Sequence, residues 1–459
     1  MEISAELLEK YNVPVPRYTS YPPANYFKDN YPEKEYRSML EISNRDKPEN
    51  ISIYIHIPFC DKICFYCGCN ATAKGKGVIV EPYVEALKKE MEMVFELIDK
   101  SRLVSQIHYG GGTPNSLPAE VLKDINEFIF SKFKFIEKPE IAIECNPAHL
   151  NYDYIDTLKS VGFNRFSIGI QDFNIDVLKS VNRDASLLPI EKLIEYLKKD
   201  SEDISVNLDF IYGLPGQNLS SFAKTMEKAV SLHPDRLVTF SYAHVPWLMK
   251  HQQILEKKGL PTSTDKMDMF RIANKILTQA GYIRLGLDHF VLADDELSHA
   301  YNTRKLHRNF QGYCTRRTTG QVYAFGASGI SQLEKGYFQN HKDINAYISD
   351  IENGVLPVQK GYVLSSGEKT TGKIIEELMC NEKIYWDEIS KELQLTVKEV
   401  KSEVNLDNNV LTGFVKDGML KYDDEKMEIT EIGTFFLRNI VASLDKNLIN
   451  TANKYSKSV

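Results

Sequence analysis

Residues 51–57, Ile51-Ser52-Ile53-Tyr54-Ile55-His56-Ile57, alternate strictly between isoleucine and polar side chains. A period of two puts the isoleucines on one face of a β-strand and Ser52, Tyr54 and His56 on the other. The isoleucine face suits burial under helices, whereas the second face is unusually polar for a strand. From Glu81-Pro82 onward, Val84, Leu87, Met91, Phe95 and Ile98 recur at helical spacing. This predicts a helix over 81–98 with proline in its first turn. The two signals then repeat. Strand-like runs fall at 105–109, 140–145, 165–171, 205–211 and 237–242, and helical patterns fill most gaps, as at 151–161 and 189–199. Six successive βα units imply an α/β fold with a parallel sheet, an open, partial (β/α)6 TIM-like barrel. Further strands are expected at 282–287 and 322–325.

The flanks read differently. Residues 11–23 hold four prolines and three tyrosines, which excludes regular helix because proline fixes φ and removes a donor. Such a segment either packs on the body or covers a site. From about Ser366 the pattern turns helical, with runs at 367–380 and 386–393, a hairpin at 419–429 and a last helix at 431–445. Helices followed by a hairpin are winged-helix-like, which raises DNA as a ligand. Residues 361–459, however, carry 13 Lys+Arg against 17 Asp+Glu. Phosphate binding needs the opposite sign, so a lid or packing module is expected. The resulting division is an extended N-terminal arm over 1–45, a barrel over 46–355 and a mostly helical domain over 356–459.

Hydrophobic residues at 42% and charged residues at 26% exclude collagen-like and disordered classes. No run of about 18 apolar residues occurs, so no membrane span is expected. The N-terminus is acidic and does not resemble a secretory signal. A net charge of -7 argues against a generic nucleic-acid binder. Seven cysteines, an odd number, point to reduced thiols and a cytoplasmic setting rather than a disulfide framework. Four of them, Cys60, Cys64, Cys67 and Cys69, fall within ten residues. Cys145, Cys314 and Cys380 are scattered and read as buried thiols.

Cys60, Cys64 and Cys67 form C-x3-C-x2-C. Three thiolates on one short loop can hold three irons of a cubane and leave the fourth iron open to a substrate or cofactor. The alternative is a zinc knuckle with Cys69 as fourth ligand. Zinc sites usually pair two separated C-x2-C hairpins, and no second pair exists here. In each βα unit the unusual residues sit at the C-terminal end of the strand: the cysteines, the Gly110–Pro114 run, Glu144, Gln171 and Asp209. Barrel enzymes gather their catalytic groups at that rim.

This cysteine spacing after the first strand, with Tyr66 before the third cysteine and a Gly110-Gly111-Gly112-Thr113-Pro114 run after the second strand, resembles the radical S-adenosylmethionine (SAM) superfamily. Further segments narrow the likeness: Tyr54–Cys60, Gly68-Cys69-Asn70, Gln171-Asp172-Phe173, Val181-Asn182-Arg183, Ile211–Pro215, Pro16–Pro22, Tyr242-Ala243-His244, Asp288-His289-Phe290 and Leu306–Tyr313. Together they resemble the oxygen-independent coproporphyrinogen III dehydrogenases, from about residue 11 into the C-terminal region. The resemblance implies conversion of two propionates of coproporphyrinogen III to vinyls, giving protoporphyrinogen IX. It implies a [4Fe–4S] cluster on Cys60, Cys64 and Cys67 and two SAM molecules. By motif, the first SAM meets Tyr54, Gly111, Glu144 and Ile330. The second meets Tyr66, Gly112, Thr113, Gln171, Arg183, Asp209 and Ala243. The family often has Phe where Tyr66 stands and Asp where Asn146 stands.

Tyr54, Cys69 and Arg183 are the expected catalytic residues. Cys69 as a cluster ligand would close the open iron, so a role in hydrogen transfer or packing is expected instead. Arg183 is read as a helix-surface charge or a carboxylate clamp, and Arg17 and Arg308 as further propionate partners. A tetracarboxylate needs a locally basic pocket in a chain of net negative charge. His56 and His307 suit core positions as well as functional ones. The other partners expected are an electron donor and an acceptor, with no nucleic acid, no membrane and a monomeric chain. The alternatives are a haem-binding chaperone, which typically lacks the Cys69 position and the Pro16–Pro22 arm, a haem-directed methyltransferase of the same superfamily, and a zinc-stabilised structural protein.

Overall fold

A computed structural model describes all residues except 1–2, 76, 78, 200, 202, 316–318, 449–454 and 459, so both ends of the arm-to-tail division extend beyond the described residues. The six anticipated strands are present as β1 (Ile51–Ile57), β2 (Leu103–Gly111), β3 (Lys134–Cys145), β4 (Arg165–Gln171), β5 (Ser205–Tyr212) and β6 (Arg236–Ser241). They pair in parallel in chain order. Helices such as Val80–Phe95, Tyr152–Ser160 and Ile190–Lys198 form the crossovers. A seventh parallel strand, β7 (Gln321–Phe325), adds on the free side of β1.

Beyond β7 the sheet continues antiparallel through Ile330–Leu333, Gly336–Asn340 and Val358–Val363 to Lys28–Asp29. Beyond β6 it ends in His289–Val291 and Ile283–Leu285. The two edges do not pair, so the barrel is open and partial. The isoleucines of β1 are almost fully buried beneath the crossover helices. No described helix is long and apolar enough to cross a membrane.

The arm departs from a purely extended segment. Helices cover Ala5–Tyr11 and Glu33–Ser43. The first is capped by the Ser4 side chain, and the second buries Tyr36 and Leu40 along one stripe behind an acidic first turn. The prolines occupy the non-helical stretch between them. There Val15, Tyr18 and Tyr21 join the core of the C-terminal domain. The hydroxyls of Tyr18 and Tyr21 donate to the two carboxylate oxygens of Asp445, each at 2.9 Å.

That domain runs helix Ser366–Asn381, strand Lys383–Tyr385, three short helices and the hairpin Leu420–Tyr422/Lys426–Ile429. The first strand pairs with the hairpin, a winged-helix-like order. The last helix is shorter than its pattern, a 3-10 turn at Gly433–Phe436 and an α-helix at Leu437–Ser443.

Candidate active site

The strand ends, the cysteine loop and the arm enclose a cavity of about 610 Å³. The polar faces of β1 to β5 line it because side chains alternate along each strand. The Tyr54 hydroxyl lies 3.1 Å from His56 Nδ1, and His56 Nε2 lies 3.0 Å from the Asn70 carbonyl oxygen. Burial pushes the His56 imidazole down, which keeps the ring neutral. A neutral ring facing a carbonyl must carry its proton on Nε2, so Nδ1 accepts from Tyr54. The Tyr54 ring stacks on His108 at 5.9 Å, and His108 Nε2 lies 3.1 Å from Glu144 Oε1.

Across the cavity, Ser167 Oγ and Asn207 Nδ2 donate to the Asp209 carboxylate at 2.7 and 2.8 Å. Burial pushes that carboxyl up even so. Gln171 sits at φ 67°, a left-handed conformation costly for a side chain of its kind, and its Oε1 is buried with no partner among the described residues. Strain plus an unmet acceptor marks a position shaped for a ligand.

The cysteine loop is held from outside. Phe65 N donates to Val181 O at 2.9 Å and Asn182 Nδ2 to Ile63 O at 2.8 Å. His251 Nε2 lies 2.8 Å from Cys67 O, and Gln252 Nε2 donates to Tyr66 O at 3.1 Å. Arg183 donates to Gly169 O and lies 3.7 Å from Cys64 Sγ. Burial pushes Cys60 up to about 11, although Thr113 Oγ1 lies 3.3 Å away. Cys67 is drawn down to about 6, chiefly by the hydrogen bond from Cys69, with His251 and Arg183 adding positive charge. Cys69 is pushed up chiefly by that same bond, and it lines the cavity as an exposed thiol.

Cys60, Cys64 and Cys67 stand on one short loop and line one cavity. Three thiols so placed form a donor set that fits a [4Fe–4S] cluster. Gly111 shows the cradle beside it. Its φ is 115°, and a Cβ there would lie 2.7 Å from the His56 ring. At the preceding Gly110 a Cβ would lie 2.7 Å from Glu144 Oε1 and 3.1 Å from the Tyr54 ring, so glycine lets the main chain come close to the space between those two side chains.

Ile330 reaches the cavity on a turn fixed from behind. Glu90 Oε2 accepts from Gly326 N at 2.8 Å and Tyr347 OH at 2.6 Å, and its Oε1 accepts from Asn340 Nδ2 at 2.6 Å. Tyr83 OH donates to His56 O at 2.7 Å and accepts from Ala327 N at 2.9 Å.

The cavity also brings together Tyr66, Gly112, Thr113, Arg17 and Arg308. Arg17 is paired with Asp288 at 3.1 Å. Arg308 donates to the Arg17 and Tyr18 carbonyls and keeps a buried Nε with no partner among the described residues. Ala243 lies elsewhere, on a second cavity of about 520 Å³. His307 is buried against Glu376 of the C-terminal domain, outside the site.

The expected basic pocket is not here. Arg17, Lys62, Arg165, Arg183 and Arg308 are matched by Asp61, Glu144, Asp184, Asp209 and Asp288. Sequence reasoning missed His108, Ser167 and Asn207 as site residues. Asn207 lies two positions from Asp209, Ser167 four from Gln171, and His108 two before the Gly110–Pro114 run, each on the same strand as its neighbour, and the period of two was the available signal.

Residues 54–229 match the Radical SAM superfamily. The chain is 38% identical to the oxygen-independent coproporphyrinogen III oxidase of Synechocystis sp., covering 99% of this chain and 97% of that protein. It is 35% identical to the protein of that name from Escherichia coli, covering 96% and 95%. The solved coproporphyrinogen III oxidase of Escherichia coli, described as a radical SAM enzyme, superposes with a TM-score of 0.88 at 32% identity over 97% of this chain and 99% of that one.

Proposed function

The chain belongs to the oxygen-independent coproporphyrinogen III oxidases of the radical SAM superfamily, and we propose that the larger cavity carries out their reaction with the residues assigned below. The activity is the oxidative decarboxylation of two propionates of coproporphyrinogen III in haem biosynthesis, with a [4Fe–4S] cluster and SAM as cofactors. When bound, these cofactors supply a one-electron cleavage whose carbon radical takes a hydrogen atom from the propionate β-carbon, after which carbon dioxide and one electron leave.

In this reading Cys60, Cys64 and Cys67 hold the cluster and Gly111 opens the main chain to SAM. Tyr54, Glu144 and Ile330 line the first SAM position. Tyr66, Gly112, Thr113, Gln171, Arg183 and Asp209 line a second, and Ala243 stands beyond it. The unmet Gln171 acceptor and the carboxylates of Glu144 and Asp209 suit amino and hydroxyl groups. Tyr54 and Arg183 hold the reacting groups in place, and Cys69 stands as a hydrogen-transfer or packing group beside the cluster. With cofactors and substrate in place, the surrounding wall would limit the access of water and of stray hydrogen donors to a carbon radical.

The observation that carries the assignment is the three-thiol loop facing the Gly111 cradle across one cavity. Seven free cysteines support a reducing, cytoplasmic setting, and in this reading the working form is a monomer served by a separate electron donor and acceptor. The test is anaerobic reconstitution followed by assay of carbon dioxide and 5′-deoxyadenosine from coproporphyrinogen III. Cys69→Ser should retain the cluster and lose decarboxylation. If it retains full activity, Cys69 has no part in the chemistry.

A further inference from the structure

The first cavity's cations are balanced by carboxylates, whereas the second carries an excess of positive charge. That cavity lies where β5 and β6 meet helix Ser263–Gln279, the arm and the C-terminal domain. Arg17, Lys266, Arg438 and Lys457 line it, and Asp288 is the one carboxylate among the described lining residues. Asp288 is already taken by His289 Nδ1 at 2.8 Å and by Arg17. Lys266 Nζ donates to the Tyr242 carbonyl at 3.1 Å and has no carboxylate partner among the described residues. Arg438 spends its guanidinium on the main-chain carbonyls of Val15, Pro16, Ser456, Lys457 and Ser458, which neutralise nothing.

Burial pushes Lys266 down to about 8, helped by the charges of Arg438, Arg17 and Lys457. Uncompensated like charges around a partly enclosed space are unfavourable until an anion joins them. The remaining wall is largely apolar and aromatic, including Tyr212, Tyr242, Trp247, Met267 and Phe270.

Lys266 reaches this space because of Gly213. A Cβ on Gly213 would lie 3.0 Å from the lysine's Cγ and Cδ, and its φ is 88°. Pro14 and Arg17 of the arm, Gly213 of the β5 end and Ala243 of the β6 end thus meet around one volume. Arg17 and Asp288 line both cavities and form the wall between them.

We infer that the second cavity binds the carboxylate-bearing edge of the tetrapyrrole, with Lys266 gripping a propionate that is not decarboxylated. This rests on the coproporphyrinogen reading above. The substrate carries four propionates and two survive both turnovers, so a cationic anchor away from the cluster can serve each turn. The apolar wall suits the macrocycle edge, and the volume lies within the usual range for ligand sites.

The test is binding of coproporphyrin III, the stable oxidised form, to anaerobic holoenzyme by fluorescence quenching, with SAM affinity measured in parallel. Lys266→Met should weaken coproporphyrin binding roughly ten- to a hundredfold, the loss of one charge-assisted contact, and leave SAM affinity unchanged. Lys266→Arg should restore most of it, which guards against a folding defect. The uncharged tetramethyl ester should bind wild type and Lys266→Met alike. Unchanged coproporphyrin affinity in Lys266→Met overturns the inference. So does a selective loss of SAM affinity, which would give the cavity to the SAM carboxylate. Wild type that neither binds coproporphyrin nor decarboxylates coproporphyrinogen overturns the reading beneath it as well.

Discussion

Glu90 offers a quantitative test of how the Ile330 turn is held. Its carboxylate is 2% exposed and faces three donors, with no cation among its described partners. Burial pushes it from 4.5 in the open chain to about 7 in the fold. A carboxyl raised by folding binds its proton more tightly in the native state. Below about 4.5 both states are protonated and nothing is lost. As pH rises towards about 7 the unfolded chain ionises first and stability falls, and above that the loss levels off. A gap of about 2.5 pH units corresponds to about 3 kcal/mol, of which about 2.5 kcal/mol develops between roughly pH 5 and pH 8. Glu90→Gln removes this dependence because an amide does not titrate. Urea unfolding of both proteins at those two pH values isolates the difference from every other group. Wild type should lose about 2.5 kcal/mol relative to the variant between them. Parallel pH profiles would refute the argument and mean that the three donors stabilise the charged form as fully as water does.

Gly111→Ala places a Cβ 2.7 Å from the His56 ring at a left-handed φ, so SAM affinity by equilibrium dialysis should fall at least roughly tenfold. Cys60→Ala, Cys64→Ala and Cys67→Ala should each lose iron and sulfide on analysis, whereas Cys69→Ser should keep them. Tyr18→Phe with Tyr21→Phe removes both hydroxyls from the buried Asp445 carboxylate, and thermal unfolding should show a loss of about 1–3 kcal/mol for each.

The barrel was legible because its strands and helices carry the two periods of the backbone without interference, as Ile51–Ile57 does. The edge strands were not. Ile330–Leu333 and Gly336–Asn340 are only four and five residues long, and their pairing is set by the adjacent β7 rather than by their own alternation. The arm's helices were masked by the prolines between them. At the site, the cysteine loop and glycine run could be read directly because their chemistry is local. His251 and Gln252 could not, because they hold the loop's carbonyls from more than 180 residues away. Charge was the hardest to foresee. The need for a basic pocket followed from net charge and substrate, but its place depends on Lys266, whose helix sequence looks like any solvated turn.

The clasp of Tyr18 and Tyr21 on Asp445 joins residues 427 and 424 positions apart. The arm is synthesised more than 400 residues before the carboxylate that fastens it. Throughout synthesis Arg17 therefore stands away from its place between the two cavities, and the cysteine loop is made long before its enclosure exists. A chain cut short before Asp445 keeps every strand and all three thiols yet lacks the fastening of its outer wall. Fastening of the outer wall thus waits for synthesis of Asp445, and until then the cysteine loop is open to cluster insertion.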